Sequence, residues 1–216
     1  MATEVFRAKV GSQLSGLCVE GSDVDFLSVT VETLGHYAGL LSYKEAGQEN
    51  DGQTDVRQFD VRKFGKLLLA GNYNCVSSLF DAGAFVHPAF ERFVTARNLF
   101  CNAKLARACA GQAVNDVRGD AVTDKAFARS LHLLSEASAA LRTGTLHVEA
   151  SDYVKAVRAG LCKFSRQMAF DLLLTEVNGR MNSPFARHPT PEALVGLTSD
   201  LVTACVMDVC SVRFSE

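Results

Sequence analysis

Two aspartates separated by one residue constrain this chain more than any other feature does. Asp23 and Asp25 open a run rich in Val, Phe and Leu, which predicts a β-strand over residues 23–31. Residues i and i+2 of a strand project from the same face, so the two carboxylates are expected side by side. Two like charges this close are unfavourable unless a cation neutralises them, and Mg²⁺ prefers oxygen ligands. The pair therefore predicts a divalent-metal site, with a solvated strand edge as the alternative.

A Gly-Ser pair lies upstream of the two aspartates. Residues 5–10 alternate between apolar and polar side chains, which predicts a short first strand that Gly11 ends. Gly11 would let the backbone approach a phosphate closely, and Ser12 offers it a hydroxyl and an N–H. Residues 13–22 contain glycines and serines and predict a loop. The alternative for Gly11 and Ser12 is a simple turn.

A third carboxylate is expected from the next strand. Residues 55–59 predict that strand, and the spacing of apolar residues predicts a helix over 61–70 that Gly71 ends. A site for two metal ions needs a carboxylate besides the first pair. Asp55 and Asp60 are both candidates, and we favour Asp55 because Asp60 is placed to cap the helix N-terminus.

This order of residues resembles the signature of the DNA polymerase beta-like nucleotidyltransferases. Within that superfamily it is most similar to the family associated with RNA repair, many members of which are carried by bacteria and phages. The matching positions are Gly11, Ser12, Gly16, Leu17, Ser22, Asp23, Asp25, Lys63, Phe64, Leu67, Leu68, Gly71 and Asn72. The resemblance implies a catalytic metal site for Mg²⁺ or Mn²⁺, with ligands Asp23, Asp25 and Asp55.

The resemblance also implies how the nucleotide is held. Gly11, Ser12 and Gln13 would contact it, although family members often carry an Arg or another charged or aromatic residue at the position of Gln13. The family tends to show Lys, then His, then Arg along one later helix. Here the corresponding side chains, spaced to share one helical face, are Lys125, Arg129 and His132. Cations on that face would bind a triphosphate, and an ordinary solvated basic face is the alternative.

The second half of the chain changes character. From Pro88 onward the apolar spacing predicts helices over about 88–115, 123–141, 151–180 and 191–213. Gly144 would close the second, Gly160 would break the third, and residues 181–190 would form a connection. The fold class is therefore α+β, with a small mixed sheet and a mostly helical C-terminal half. We expect a catalytic core at 1–85 and a helical domain at 86–216 packed on it, since no linker of Pro, Gly or Ser separates them.

Composition limits the partners. The net charge is −2, whereas a protein that grips a long nucleic-acid backbone usually carries a basic surplus, so a small or transiently held substrate is favoured. The seven cysteines form no Cys-x-x-Cys pair, which favours reduced thiols in a cytoplasmic protein. We expect that no segment reaches the apolar length of a membrane-spanning helix, and therefore that the protein has no membrane partner.

Three functions remain open. The first is a nucleotidyltransferase that moves a nucleoside monophosphate from a triphosphate to an acceptor hydroxyl, with an RNA end as the candidate that the resemblance supplies. The second is nucleotidylation of a protein or small molecule, as toxin-like relatives perform. The third is a non-catalytic nucleotide-binding module, against which the intact Asp23 and Asp25 pair argues. The sequence leaves the acceptor, the preferred nucleotide and the oligomeric state open.

Overall fold

The computed structural model describes residues 2–39, 45–119, 122–182 and 191–212. Within these ranges a five-stranded sheet has the order β3-β4-β2-β1-β5. Its strands are β1 (Thr3–Lys9), β2 (Val24–Val31), β3 (Ala46–Asn50), β4 (Thr54–Asp60) and β5 (Phe85–Val86). β2 and β4 are parallel, whereas β1 pairs antiparallel with β2 and β5, and β3 pairs antiparallel with β4. The sheet is therefore mixed, as expected.

Helices account for most of the remaining described residues. The first four are α1 (Gly11–Ser15), α2 (Leu34–Tyr37), α3 (Val61–Leu69) and α4 (Tyr73–Ser78). The later ones are α5 (Glu91–Thr95), α6 (Ala103–Asp116), α7 (Asp124–Thr143), α8 (Asp152–Arg158), α9 (Arg166–Met181) and α10 (Pro191–Val212). The expected α+β class with a helical C-terminal half is confirmed.

Several local predictions are confirmed by the backbone. Asp60 caps α3, because its side chain accepts a hydrogen bond from the backbone N–H of Arg62 at 3.0 Å. Gly144 ends α7 in the left-handed conformation with φ 70°. The expected break near Gly160 separates α8 from α9, and φ at this glycine is 79°.

Other boundaries were wrong. In place of the single helix expected over 88–115, the chain forms a 3₁₀ turn at Pro88–Phe90, then α5, a second 3₁₀ turn at Arg97–Phe100 and α6. The last of these divisions falls at Asn102, whose backbone is extended. The Asn102 side chain accepts from the backbone N–H groups of Lys104 and Leu105, so it starts α6 as an N-cap. Part of the loop expected over 13–22 belongs to α1, and strand β3 was not expected. The connection expected at 181–190 lies largely outside the described residues.

One hydrophobic core joins both halves of the chain. Phe6 of β1, Phe64 of α3 and Phe90 pack with ring centroids 4.8–6.3 Å apart. Helix α10 packs on α3 and contributes Leu201 and Cys205 to the same core. The helical half therefore packs on the sheet, while the boundary between residues 85 and 86 stays a prediction.

Helix α10 also contains the most apolar long segment of the described chain. Its segment Glu192–Ser211 has a mean hydropathy of 1.6 and is long enough to cross a membrane, so the expectation that no segment has this property was wrong. The core helix of a folded protein meets the same criteria, and α10 packs against α3 and β2. Its length and composition are therefore weak evidence for a membrane span.

Candidate active site

The parallel pairing of β2 and β4 brings two of the three expected carboxylates together. Asp25 lies directly opposite Asp55 in the register, and both residues are half-buried. Burial raises the pKa of the Asp25 carboxyl above its usual value, and the negative charges of Asp55 and Asp23 raise it further. Arg57 and Lys125 lower this pKa but do not outweigh the other causes. Burial is therefore the main obstacle to ionisation of Asp25, and the neighbouring carboxylates add to it.

Asp23 and Asp60 occupy different positions from this pair. Asp23 is exposed and lies immediately before the first residue of β2. Asp60 lies at the other end of β4, where it is buried and accepts a hydrogen bond of 2.6 Å from the Tyr37 hydroxyl as well as capping α3. The structure thus places Asp55, and not Asp60, beside Asp25.

The paired carboxylates have the chemistry of a magnesium or manganese site. Carboxylate oxygens are the ligands that these cations prefer, and a cation between Asp25 and Asp55 would relieve the repulsion that raises the Asp25 pKa. Both Asp55 oxygens accept from the Gln48 side-chain amide, at 2.9 and 3.0 Å. Among the described residues, no three His, Cys, Asp or Glu side chains form a ready-made metal cluster. Binding through all three aspartates therefore stays a prediction.

The Gly-Ser pair lies against the carboxylates. Gly11 begins α1 with φ 63°, and a Cβ at this position would lie 3.1 Å from the Asp25 carboxylate oxygen Oδ2. This close approach and the positive φ explain why glycine is needed here. Ser12 and Asp25 line the same pocket, which is described below. The Gln13 amide instead lies 3.5 Å from the backbone carbonyl of Asp23, and Gln13 does not line that pocket.

A pocket of about 350 Å³ extends from the carboxylates to the helical half. We call it the active pocket. Its sheet side includes Gly11, Ser12 and Asp25, and its helical side carries all three of the side chains expected on one face of α7, namely Lys125, Arg129 and His132. The structure therefore brings the two groups of predicted nucleotide-binding residues together, apart from Gln13.

The three α7 side chains differ in their charge and in the partners that they already have. Arg129 is held by Asp116 of α6 through two contacts, 2.6 Å from Nη2 to Oδ1 and 2.7 Å from Nε to Oδ2. His132 is buried, its Nε2 lies 2.9 Å from the Tyr73 hydroxyl, and burial lowers its pKa to about 4. His132 is therefore neutral at pH 7 and supplies no positive charge. Lys125 is exposed and acts electrostatically on Asp25.

Sequence reasoning missed other residues of this site. Arg57 and Arg158 line the active pocket, as do the carboxamide residues Asn74 and Gln112. Arg57 follows Asp55 by two residues on β4, so same-face alternation could have identified it. The others come from α4, α6 and α8, and no local spacing links them to the aspartates.

Paired carboxylates on neighbouring parallel strands, with a Gly-Ser turn against them, are features expected of a nucleotidyltransferase core. Residues 2–82 match the sequence model of the RNA repair pathway DNA polymerase beta family. The resemblance is thereby confirmed for the region that contains β1 to β4 and α1 to α4. Searches of curated proteins and of solved structures found no match. The family match does not extend to the helical side of the active pocket.

Proposed function

We propose that this protein is a metal-dependent nucleotidyltransferase that moves a nucleoside monophosphate from a nucleoside triphosphate to an acceptor hydroxyl. The observation that carries the proposal is the pair of Asp25 and Asp55, facing each other across parallel strands beside Gly11. The family match over residues 2–82 supports the same class of enzyme.

The reaction would be an in-line displacement at the α-phosphorus. The acceptor oxygen forms a bond to phosphorus as it loses its proton, and the bond to the pyrophosphate leaving group breaks. Asp25 and Asp55 would hold the divalent cation, with Asp23 at the edge of the site. When bound, the cation would offset charge on the phosphoryl and leaving oxygens. Gly11 would allow the phosphate chain to approach the backbone without a side chain in the way.

Cationic side chains that line the active pocket would hold the triphosphate. Lys125 and Arg158 line it from α7 and α8, and Arg57 lines it from β4. Arg129 adds a guanidinium suited to bidentate binding of phosphate once Asp116 releases it. These groups would orient the phosphate chain, and catalysis would then rest mainly on position and electrostatics.

The acceptor is proposed on the family description alone. An RNA end is our first choice, since the matched family is that of an RNA repair pathway. A protein or small-molecule acceptor is the competing choice. The seven cysteines are all free thiols in the structure, and we propose a cytoplasmic location on that basis.

An α-phosphate-labelled nucleoside triphosphate tests the proposal. The protein would be incubated with it, Mg²⁺ or Mn²⁺ and, separately, RNA with defined ends or total cell protein. We expect label on RNA with the parent protein and with Asp200→Asn, an exposed aspartate of α10, and none with Asp25→Asn. Label on protein alone would replace the RNA acceptor. No labelled product with any acceptor, together with no nucleotide binding, would overturn the proposed activity.

A further inference from the structure

A second cavity lies between α3, α4 and α6 and shares lining residues with the active pocket. It has a volume of about 270 Å³, and we call it the amide cleft. Its lining includes the apolar side chains of Leu67, Ala70 and Ala108 and the carboxamides of Asn72, Asn74 and Gln112. Apolar walls with a few polar groups are typical of sites that bind a small ligand.

The amide cleft shares lining residues with the cavities around Asp25 and Asp55. Asn74 lines the amide cleft, the active pocket and the cavity that contains both Asp25 and Asp55. Gln112 lines the amide cleft and the active pocket. A ligand whose phosphates lie beside Asp25 could therefore extend past Asn74 into the cleft.

Two of the three carboxamides are available to a ligand. Asn72 is used by the fold, because its Oδ1 accepts from the backbone N–H of Cys75 at 3.1 Å and caps α4. Across the described ranges, the side chains of Asn74 and Gln112 make no hydrogen bond to other protein groups, and Asn74 is half-buried. Each carboxamide offers an acceptor oxygen and two N–H donors, which is the combination that reads the edge of a nucleobase.

The backbone before α4 lies close to the start of α6. Gly71 precedes α4 with φ 72°, and a Cβ there would lie 2.9 Å from the backbone of Lys104 and Leu105 at the start of α6. Gly71 also lines the amide cleft, so a side chain at this position would disturb the packing beside it.

We propose that the amide cleft binds a nucleobase, with Asn74 and Gln112 hydrogen-bonded to its edge and Leu67, Ala70 and Ala108 against its faces. This inference rests on the proposed nucleotide chemistry, since the base would belong to a nucleotide whose phosphate lies in the active pocket. The donor triphosphate and the terminal nucleotide of an RNA acceptor both carry such a base. Selection of one base over the others would then depend on the two carboxamides.

Binding measurements without turnover test the inference. Calorimetry would compare the parent with Asn74→Ala and Gln112→Ala, using non-hydrolysable analogues of the four ribonucleoside triphosphates, inorganic tripolyphosphate and short RNA. The matched control is Asn178→Ala, an exposed carboxamide on α9. Melting temperatures of all variants would show that each is folded.

We expect each cleft variant to lose roughly threefold to tenfold in affinity for the preferred triphosphate, the range for a lost hydrogen bond, and to discriminate less between bases. Tripolyphosphate, which has no base, should lose less affinity than the triphosphate in the same variants, and equal losses for the two ligands would overturn the inference. Asn178→Ala should match the parent throughout. A loss confined to RNA would assign the cleft to the acceptor base. Unchanged nucleotide and RNA affinities in a protein that binds tripolyphosphate would overturn the inference and leave the proposed function standing. If the parent binds no phosphate ligand, both fail.

Discussion

At the scale of single residues, Asp25 combines burial, like charge and close packing. Its carboxyl is half-buried opposite Asp55, and its Oδ2 would lie only 3.1 Å from a Cβ added at Gly11. The raised pKa of Asp25 means that its ionised form is less favourable in the folded protein than in the unfolded chain. An environment that disfavours the ionised carboxylate is expected where a bound cation normally compensates its negative charge.

The first prediction is that Asp25→Asn abolishes nucleotidyl transfer and yet stabilises the metal-free protein at pH 7. Because the folded-state pKa of Asp25 is raised above 3.8, ionisation destabilises the fold as pH rises above that value. The amide cannot ionise, so the variant should melt at a higher temperature than the parent at pH 7. The difference should vanish below about pH 3.8, where the carboxyl is protonated in both states.

Thermal melts with and without Mg²⁺ provide the control for this first prediction. The cation should raise the melting temperature of the parent more than that of Asp25→Asn, since the variant lacks one ligand. Equal responses to Mg²⁺ in the two proteins would contradict a metal site at Asp25.

The second prediction separates Asp55 from Asp60. Asp55→Ala should lower the transfer rate on the order of a thousandfold, because loss of a metal ligand removes several kcal/mol of transition-state stabilisation. Asp60→Ala should instead lower the free energy of unfolding by about 2 kcal/mol, since it removes a helix cap and the carboxylate that accepts from the Tyr37 hydroxyl. Rates and urea unfolding of both variants would measure this. Loss of activity without loss of stability in Asp60→Ala would reverse the two roles.

At the scale of helices, α6 and α7 meet in an ion pair at the rim of the active pocket. Asp116 of α6 holds the Arg129 guanidinium that a triphosphate would also attract. The carboxylate and the phosphate therefore compete for one cation. The third prediction is that Arg129→Ala weakens tripolyphosphate binding by about 1 kcal/mol, less than the 1.5–3 kcal/mol of an uncontested charged hydrogen bond.

Asp116→Asn is the complementary variant for this third prediction. It should tighten tripolyphosphate binding, because the amide holds the guanidinium less strongly and removes a negative charge from the rim. Calorimetry on both variants is the measurement, with Arg107→Ala on the exposed side of α6 as the control. Identical affinities in Arg129→Ala and the parent would show that this face of α7 is only solvated.

Helix α7 is also connected to the Gly-Ser turn through the segment before α8. The buried Glu136 of α7 accepts, through Oε2, from the backbone N–H groups of His147 and Val148, both at 3.1 Å. In the same segment, the backbone N–H of Ala150 donates to the carbonyl of Ser15 in α1 at 2.9 Å. Glu136 therefore supports a short chain of contacts that ends next to the Gly-Ser turn.

The fourth prediction concerns this buried carboxylate. Glu136→Ala should reduce the free energy of unfolding by roughly 2–4 kcal/mol, because two backbone N–H groups lose their acceptor and a cavity remains. Glu136→Gln keeps an acceptor oxygen and should cost much less. Chemical denaturation is the measurement. Equal losses in the two variants would mean that the charge, and not the accepted hydrogen bonds, matters at this position.

Helix ends that depend on a single residue could be predicted from the sequence. Strand pairing and helix packing between distant segments could not. Asp60, Gly144 and Gly160 act through their own side chain or backbone conformation, so their effects on helix ends could be predicted. Strand β3 consists of exposed residues that carry no strand pattern, and its pairing with β4 defines it. In the site, the Asp23 and Asp25 spacing was visible, whereas Asn74, Gln112 and Arg158 reach the active pocket only through helix packing.

At the scale of the whole molecule, the active pocket depends on how the helical half lies against the sheet. Its walls come from the sheet half, through Gly11 and Asp25, and from the helical half, through Lys125 and Arg158. The core is shared as well, since α10 packs on α3 and contributes Leu201 to the same cluster as Phe64. A change at the α3–α10 contact should therefore alter the stability of both halves together.

The fifth prediction uses two glycines in helix interiors to test that contact. A Cβ at Gly65 of α3 would lie 3.0 Å from Val202 and 3.2 Å from Thr198 of α10, whereas a Cβ at Gly111 of α6 would meet nothing within 4 Å. Gly111→Ala should raise the free energy of unfolding by about 1 kcal/mol, the usual gain in helix propensity. Gly65→Ala should lose that gain, because α3 and α10 must move apart. Far-ultraviolet circular dichroism and calorimetry should report a single transition for both variants, since the core is shared. Equal stabilisation by the two substitutions would mean that α10 does not pack closely on α3.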